Sequence, residues 1–166
     1  TSSYQRRIGF PIYGVEGESI YDHWSDGMCT MHGLMAHGFP NLFFCGGLFV
    51  FQLGANYCYG VDVQAKHVAY TVSELMKRNS QMAEPSAEAE QEWVVDQLSS
   101  ESSQAQLVLG GSPASCTPGY YNQEGTRERY RDVRLESYGK GLGAYRKVLD
   151  GWRMQNELKG LVLTEK

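Results

Sequence analysis

The sequence predicts an α/β fold, and three observations carry that prediction. The run GFPNLFFCGG, Gly38 to Gly47, sets four apolar residues, Leu42 to Cys45, between a Gly-Phe-Pro-Asn turn and a Gly-Gly pair. That is the pattern of a buried strand feeding a tight turn. After a loop, Cys58, Val61, Ala65, Val68, Ala69, Val72, Leu75 and Met76 recur as small or apolar residues at helical spacing, so a long amphipathic helix follows. Leu161 to Leu163 reads as a short terminal strand. In open α/β sheets, a strand whose C-terminal end meets a helix N-terminus is a place for cofactors. Unpaired backbone N–H groups and the helix dipole face the crevice there.

Composition narrows the function classes. With 166 residues, 42% of them hydrophobic, the chain carries enough apolar matter for one core. No stretch approaches the roughly 20 apolar residues of a membrane span, and TSSYQRRIGF lacks the apolar centre of a signal peptide, so a cytoplasmic chain is expected. It starts at Thr1 without a methionine, and Tyr4 to Phe10 reads like the middle of a longer protein, so a fragment is expected. Net charge is -4, and Arg127, Arg129, Arg131 and Arg134 are interleaved with Glu124, Glu128, Asp132 and Glu136. No single-sign face results, which argues against a nucleic-acid partner. The four cysteines, Cys29, Cys45, Cys58 and Cys116, form no CxxC pair and read as reduced packing thiols.

Taken in order, Ile20 to Gly27 predicts a short helix ended by Gly27, and Cys29 to Met35 a strand. Asn56 is placed to cap the long helix, which ends near Arg78-Asn79-Ser80. A second helix is expected to begin at Pro85, whose fixed φ suits a first turn, with Glu88 and Glu90 following and Ala89, Trp93, Val94, Gln97 and Leu98 as its stripe. Residues 110 to 141, rich in Gly, Pro, Ser, Tyr and Asn, read as a long irregular loop, ordered by Tyr120, Tyr121, Tyr130 and Tyr138. Gly141 or Gly143 then opens a last helix with Leu142, Tyr145, Val148, Leu149 and Trp152 on one face. The chain thus divides into a strand-and-helix core, 1–109, and a lid-like loop with the last helix and terminal strand, 110–166. Cys29, His32 and His37, with His23 beyond, imitate metal-ligand spacing, but on a strand Cys29 and His32 point to opposite faces, so no metal site is expected. His67 reads as a surface or interface histidine.

Several of these pieces recur together elsewhere. WSDG (Trp24 to Gly27), Thr30 with Gly33, GFPNLFF, a helix carrying Gln64 and HVAY (His67 to Tyr70), EWV (Glu92 to Val94), CTPGYYNQEG (Cys116 to Gly125), Tyr145-Arg146 and GLVLT (Gly160 to Thr164) follow one another in order. This series resembles the C-terminal third of the Baeyer–Villiger monooxygenases, over nearly the whole chain. The resemblance implies the second half of a split, Rossmann-like FAD-binding domain. The full enzyme would use FAD, NADPH and O2 to convert a hydrophobic ketone into an ester or lactone. Its N-terminal portion, with the dinucleotide fingerprint and the catalytic arginine, would be the main partner; no GxGxxG occurs in these residues. No catalytic residue is therefore expected here, and the isolated chain should be inactive.

The resemblance also assigns places. Gly46 and Gly47 would lie beside the flavin ring, since glycines allow close backbone approach; on residues alone they make a plain strand-to-helix turn. Asn56 and Tyr57 would meet the flavin pyrimidine edge. Leu48, Phe49, Phe51, Gln52 and Leu53 would border the ketone; by composition they either line an apolar cavity or join the core. Cys116, Pro118, Gly119, Tyr120 and Asn122 would form the NADP-side loop, although Cys116 stands near where similar enzymes carry a tryptophan. PGYYN resembles the branch acting on large-ring and steroid-like ketones. Two other readings stand beside this one: a fragment of a nitrogen- or sulfur-oxidising flavin monooxygenase, and a non-catalytic binding or interaction module.

Overall fold

The computed structural model describes residues 9–46, 56–99 and 138–165. The elements run α1 (Ile20–His23), α2 (Tyr57–Lys77), β1 (Ser80–Pro85), α3 (Ala87–Ser99), α4 (Leu142–Gln155) and β2 (Leu161–Glu165). Helices and strands mix, as an α/β chain requires. The strands β1 and β2 pair antiparallel, Met82 opposite Thr164 and Pro85 opposite Leu161.

Three expected elements differ. Leu42 to Cys45 is not a strand among the described residues: Phe44 N–H donates to the Leu34 carbonyl at 2.8 Å, and no ladder extends from that bond. Phe44 alone of the four is buried, and Cys45 is exposed. Cys29 to Met35 is a tight turn closed by a Met31–Met35 bridge, with His32 and Gly33 both at positive φ. Pro85 does not open a helix. It ends β1, where a missing N–H costs little, and Ser86 caps α3 instead, its hydroxyl accepting from Ala89 N–H at 3.1 Å.

The strand β1 (SQMAEP) has little intrinsic strand preference and is made by its two neighbours. On one edge lies β2. On the other, Asn41 behaves as a substitute strand residue: its N–H donates to the Ala83 carbonyl at 3.0 Å, its Oδ1 accepts from Ala83 N–H at 3.1 Å, and its Nδ2 donates to the Gln81 carbonyl at 2.9 Å. The GFPN turn thus stitches the edge of β1. Glu84 adds a bond from Gly38 N–H at 2.6 Å.

Three apolar clusters follow. Ile20, Tyr21, Trp24, Met28, Ala36, Phe39 and Phe44 pack around α1. Val63, Trp93, Tyr138, Leu142, Tyr145 and Leu149 join α2, α3 and α4. Leu75, Ala83 and Leu158 seat the strand pair. At the rim of the second cluster the Asp96 carboxylate accepts from Tyr138 OH and from Lys140 Nζ, both at 2.7 Å. Helix α1 stops at His23, short of Gly27, because Trp24 already leaves helical geometry. No helix among the described residues is long and apolar enough to cross a membrane.

Gly160 is the tightest joint between the strand pair and α3. Its φ is +85°, and an added Cβ would stand 2.7 Å from Ala89 Cβ and 3.1 Å from Met31 Cε. Left-handed backbone and overpacking each cost on the order of 1–2 kcal/mol, so Gly160→Ala should destabilise the fold by about 3 kcal/mol. Urea unfolding of the variant checks this.

Candidate functional site

The inward face of α2 is the surprise of the structure. Its apolar spacing marked Cys58, Val61, Ala65, Val68, Ala69, Val72, Leu75 and Met76 as one face, yet of these only Leu75 is buried. The residues turned inward are Gly60, Val63, Gln64, His67, Thr71, Glu74 and Leu75. Gln64, His67, Thr71 and Glu74 fall at helical spacing and form a polar stripe pointing into the chain. That period was available in the sequence and was masked by the apolar one beside it.

At the head of α2, Gly46 meets Tyr57, which follows the helix cap Asn56. The Asn56 side chain caps the helix by accepting from Tyr59 N–H. The Gly46 peptide is held from both sides: its N–H donates to Gln64 Oε1 at 3.0 Å and its carbonyl accepts from Tyr57 OH at 2.6 Å. With φ at +80°, and a Cβ placed only 3.0 Å from Tyr57 OH, this position suits glycine alone. Gly47, Leu48, Phe49, Phe51, Gln52 and Leu53 lie outside the described residues, as do Cys116, Pro118, Gly119, Tyr120 and Asn122.

Gln64 is fully buried and its amide has one permitted orientation. Gly46 N–H can only donate, so Oε1 faces it. The Gln64 side chain also bears on the Tyr145 hydroxyl, opposing its upward shift. Tyr145 OH in turn donates to the His32 carbonyl at 2.7 Å. Burial pushes the Tyr145 hydroxyl far above the ordinary tyrosine range.

From His32 the network continues through side chains. His32 Nδ1 lies 3.1 Å from His67 Nε2, and His67 Nδ1 lies 3.3 Å from Arg153 Nη1. Arginine only donates, so His67 Nδ1 accepts, Nε2 carries the proton, and His32 Nδ1 receives it as a hydrogen bond. Arg153 is anchored by Asp150, and Trp93 and Trp152 meet the His32 ring edge-on. Burial lowers His32 to about 3. His67, lowered first by burial and then by its electrostatic coupling to His32 and the charge of Arg153, falls to about 2. Both rings are neutral, and His67, expected at a surface or interface, is a core residue at 2% exposure.

The other histidines go elsewhere. His37 Nδ1 donates to the Pro85 carbonyl at 2.9 Å while its backbone N–H reaches Glu90. His23 Nε2 meets the same Glu90 carboxylate at 3.1 Å, a bond that raises its pKa despite burial. Among the described residues no three His, Cys, Asp or Glu side chains converge on a metal position. Cys45 and Cys58 are exposed and Cys29 half-buried, none of the three in a disulfide, so Cys45 and Cys58 are not the packing residues that composition indicated.

Known proteins resemble this chain over most of its length. No family model matches the chain. A chermesin D/asnovolin J monooxidase of Aspergillus novofumigatus is 35% identical over 93% of this chain and 25% of its own length. A Baeyer–Villiger monooxygenase of Stachybotrys chlorohalonatus is 35% identical over 96% of this chain and 25% of its own. Among solved structures, a polycyclic ketone monooxygenase from Thermothelomyces thermophila superposes with a TM-score of 0.77 at 31% identity, over 98% of this chain and 25% of that one. The chain therefore spans about a quarter of the length of the relatives it matches. Over nearly its whole length it is homologous to the C-terminal part of the Baeyer–Villiger and FAD-binding monooxygenases.

Proposed function

We propose that this chain works as the C-terminal part of an FAD- and NADPH-dependent Baeyer–Villiger monooxygenase that converts a hydrophobic ketone into an ester or lactone. The homology over nearly all of its length carries the reading. The inverted helix α2 supports it. Val72 is 41% and Met76 77% exposed, and Cys58, Ala65 and Ala69 on the same apolar side are exposed too. A helix with polar residues inward and apolar residues outward has its second apolar contact still to make. The remaining part of the enzyme is the occupant proposed, completing the split FAD-binding domain.

The head of α2 fits one side of a flavin. Gly46 offers bare backbone held rigid by Tyr57 and Gln64, and the helix N-terminus capped by Asn56 places partial positive charge beside it. We assign Gly46, Gly47, Asn56 and Tyr57 to the cofactor side. When bound, the flavin supplies electron transfer from NADPH and activation of O2. This chain's residues orient it and favour negative charge at its edge. On sequence alone, Leu48, Phe49, Phe51, Gln52 and Leu53 border the ketone and keep water away, and Cys116, Pro118, Gly119, Tyr120 and Asn122 face NADP. The polycyclic ketone neighbour favours a bulky ring ketone.

The test uses the full-length protein carrying this chain. It should purify yellow, oxidise NADPH faster when a polycyclic ketone is added, and yield a product heavier by one oxygen atom. Oxygenation of amines or sulfides with ketones untouched would move it to the nitrogen- and sulfur-oxidising group. Colourless protein indifferent to NADPH would leave a binding module.

A further inference from the structure

The chain carries a second apolar surface besides the outer face of α2. Phe10, Tyr13 and Val15 are 62%, 65% and 61% exposed, three large side chains within six residues. They stand on a backbone that is fixed from several directions. Tyr21 OH donates to the Phe10 carbonyl at 2.5 Å, Ile20 N–H to the Ile12 carbonyl at 3.0 Å, Gly14 N–H to the Glu18 carbonyl at 2.9 Å, and Val15 N–H to the Gly38 carbonyl at 3.1 Å. Tyr13 pairs with Ser19, and Gly14 passes so close to the 38 turn that a Cβ there would overlap the Gly38 carbonyl oxygen. A loose segment could fold its apolar side chains back onto the core. This one holds them outward, so little ordering is left for a later contact to impose.

The charge along this stretch has one sign. Glu16, Glu18, Asp22 and Asp26 are exposed, no Lys or Arg occurs in residues 9–28, and His23 is turned to Glu18 and Glu90. A surface with aromatic anchors and an acidic border suits a partner that is apolar at its centre and edged with Lys or Arg. A second copy of the same strip is the wrong occupant, because a symmetric pairing would set Glu16 and Glu18 against their own equivalents. This chain spans 25% of the length of each relative it matches, so most of such a protein lies outside it. We infer that Phe10, Tyr13 and Val15 dock the rest of the same polypeptide through an apolar patch bordered by basic residues, a contact separate from the one at α2. The inference goes beyond the monooxygenase reading and rests on the surface and on the length of the relatives, with no step of the oxygenation involved.

The experiment uses the full-length protein. Tyr13→Cys and Val15→Cys are treated with a maleimide, native and in urea, and modification is followed site by site by peptide mass spectrometry. Docking predicts that both sites react about tenfold or more slowly in the native protein, at every protein concentration. Tyr13→Asp, which sets a carboxylate into the apolar centre, should lower the unfolding midpoint and, combined with Val15→Cys, restore reactivity there. Tyr13→Phe keeps the ring and should leave the midpoint alone. Glu16→Lys should lower the midpoint as well, since it would face basic residues, and an unchanged midpoint would overturn the basic border. Native rates equal to those in urea would overturn the docking itself. Protection that fades on dilution, with a dimer seen by light scattering, would hand the strip to a second copy and overturn it too. Iodination of Tyr13 in the wild type reads the same protection without any substitution, so a variant that failed to fold would leave the test intact. A colourless protein with both sites protected would defeat the monooxygenase reading and keep the docking. A yellow, active protein with both sites fully reactive would do the reverse.

Discussion

Between about pH 7.5 and about pH 4.5 the folded protein is expected to lose roughly 5 kcal/mol of stability through two side chains, His32 and His67. Both folded-state values are depressed, to about 3 and about 2, whereas the unfolded chain titrates near 6.5. Across that window the unfolded state binds two protons that the native state refuses. Stability therefore falls as pH falls, by about 1.4 kcal/mol per unit for each ring once pH is below the unfolded value. No partner rescues the charged form. The His67 ring is flanked by His32 and the permanently charged Arg153, and His32 by His67, Trp93 and Trp152. His23 acts on the other side of neutrality. Its folded value is raised, chiefly by Glu90, so its contribution is present below the unfolded value and disappears as pH rises through the folded one. Urea midpoints at the two pH values measure the difference, and replacing both His32 and His67 with asparagine should flatten it. Equal midpoints in the wild type would exclude a neutral buried pair.

Tyr145→Ala is the substitution expected to damage the fold most. The side chain is 0% exposed, packs with Trp93 and Tyr138, and joins α4 to the 31–35 turn through the His32 carbonyl. Removing an aromatic ring from such a site costs about 3–5 kcal/mol. The stranded His32 carbonyl adds about 1–3 kcal/mol. Chemical denaturation should show a loss near the top of the combined range, and Tyr145→Phe should show only the polar part. A Tyr145→Ala protein within 1 kcal/mol of wild type, well under that range, would mean that the second cluster does not hold α2, α3 and α4 together.

Much of the helical framework was legible in the residues. Helix α2 began after Asn56 and ended beside Arg78 because a cap and a period mark those ends, and of the α4 face read from spacing, Leu142, Tyr145 and Leu149 are buried, Trp152 is half-buried and Val148 is exposed. The strands were harder for a physical reason. Leu42 to Cys45 has strand composition and lacks a ladder partner among the described residues, whereas SQMAEP has little strand composition and two partners, β2 and Asn41. Pairing overrode propensity in both directions. The spacing of α2 marked its apolar stripe but not what that stripe faces, and the buried side carries Gln64, His67, Thr71 and Glu74 instead. The proposed cofactor-side residues Gly46, Asn56 and Tyr57 rest on family resemblance and capping. Gln64, His32, Tyr145 and Arg153 were not reached as a network, because their bonds join positions up to 113 residues apart and no local pattern announces them.

The Asp96 carboxylate that grips Tyr138 and Lys140 reaches across 42 positions of chain. A clasp of that kind holds the end of α3 beside the start of α4, whatever the number of residues between them. The entropy of joining two fixed points rises only with the logarithm of the chain length between them, so doubling that length costs about 0.6 kcal/mol. Two ends so anchored let the chain between them change in length at little thermodynamic expense.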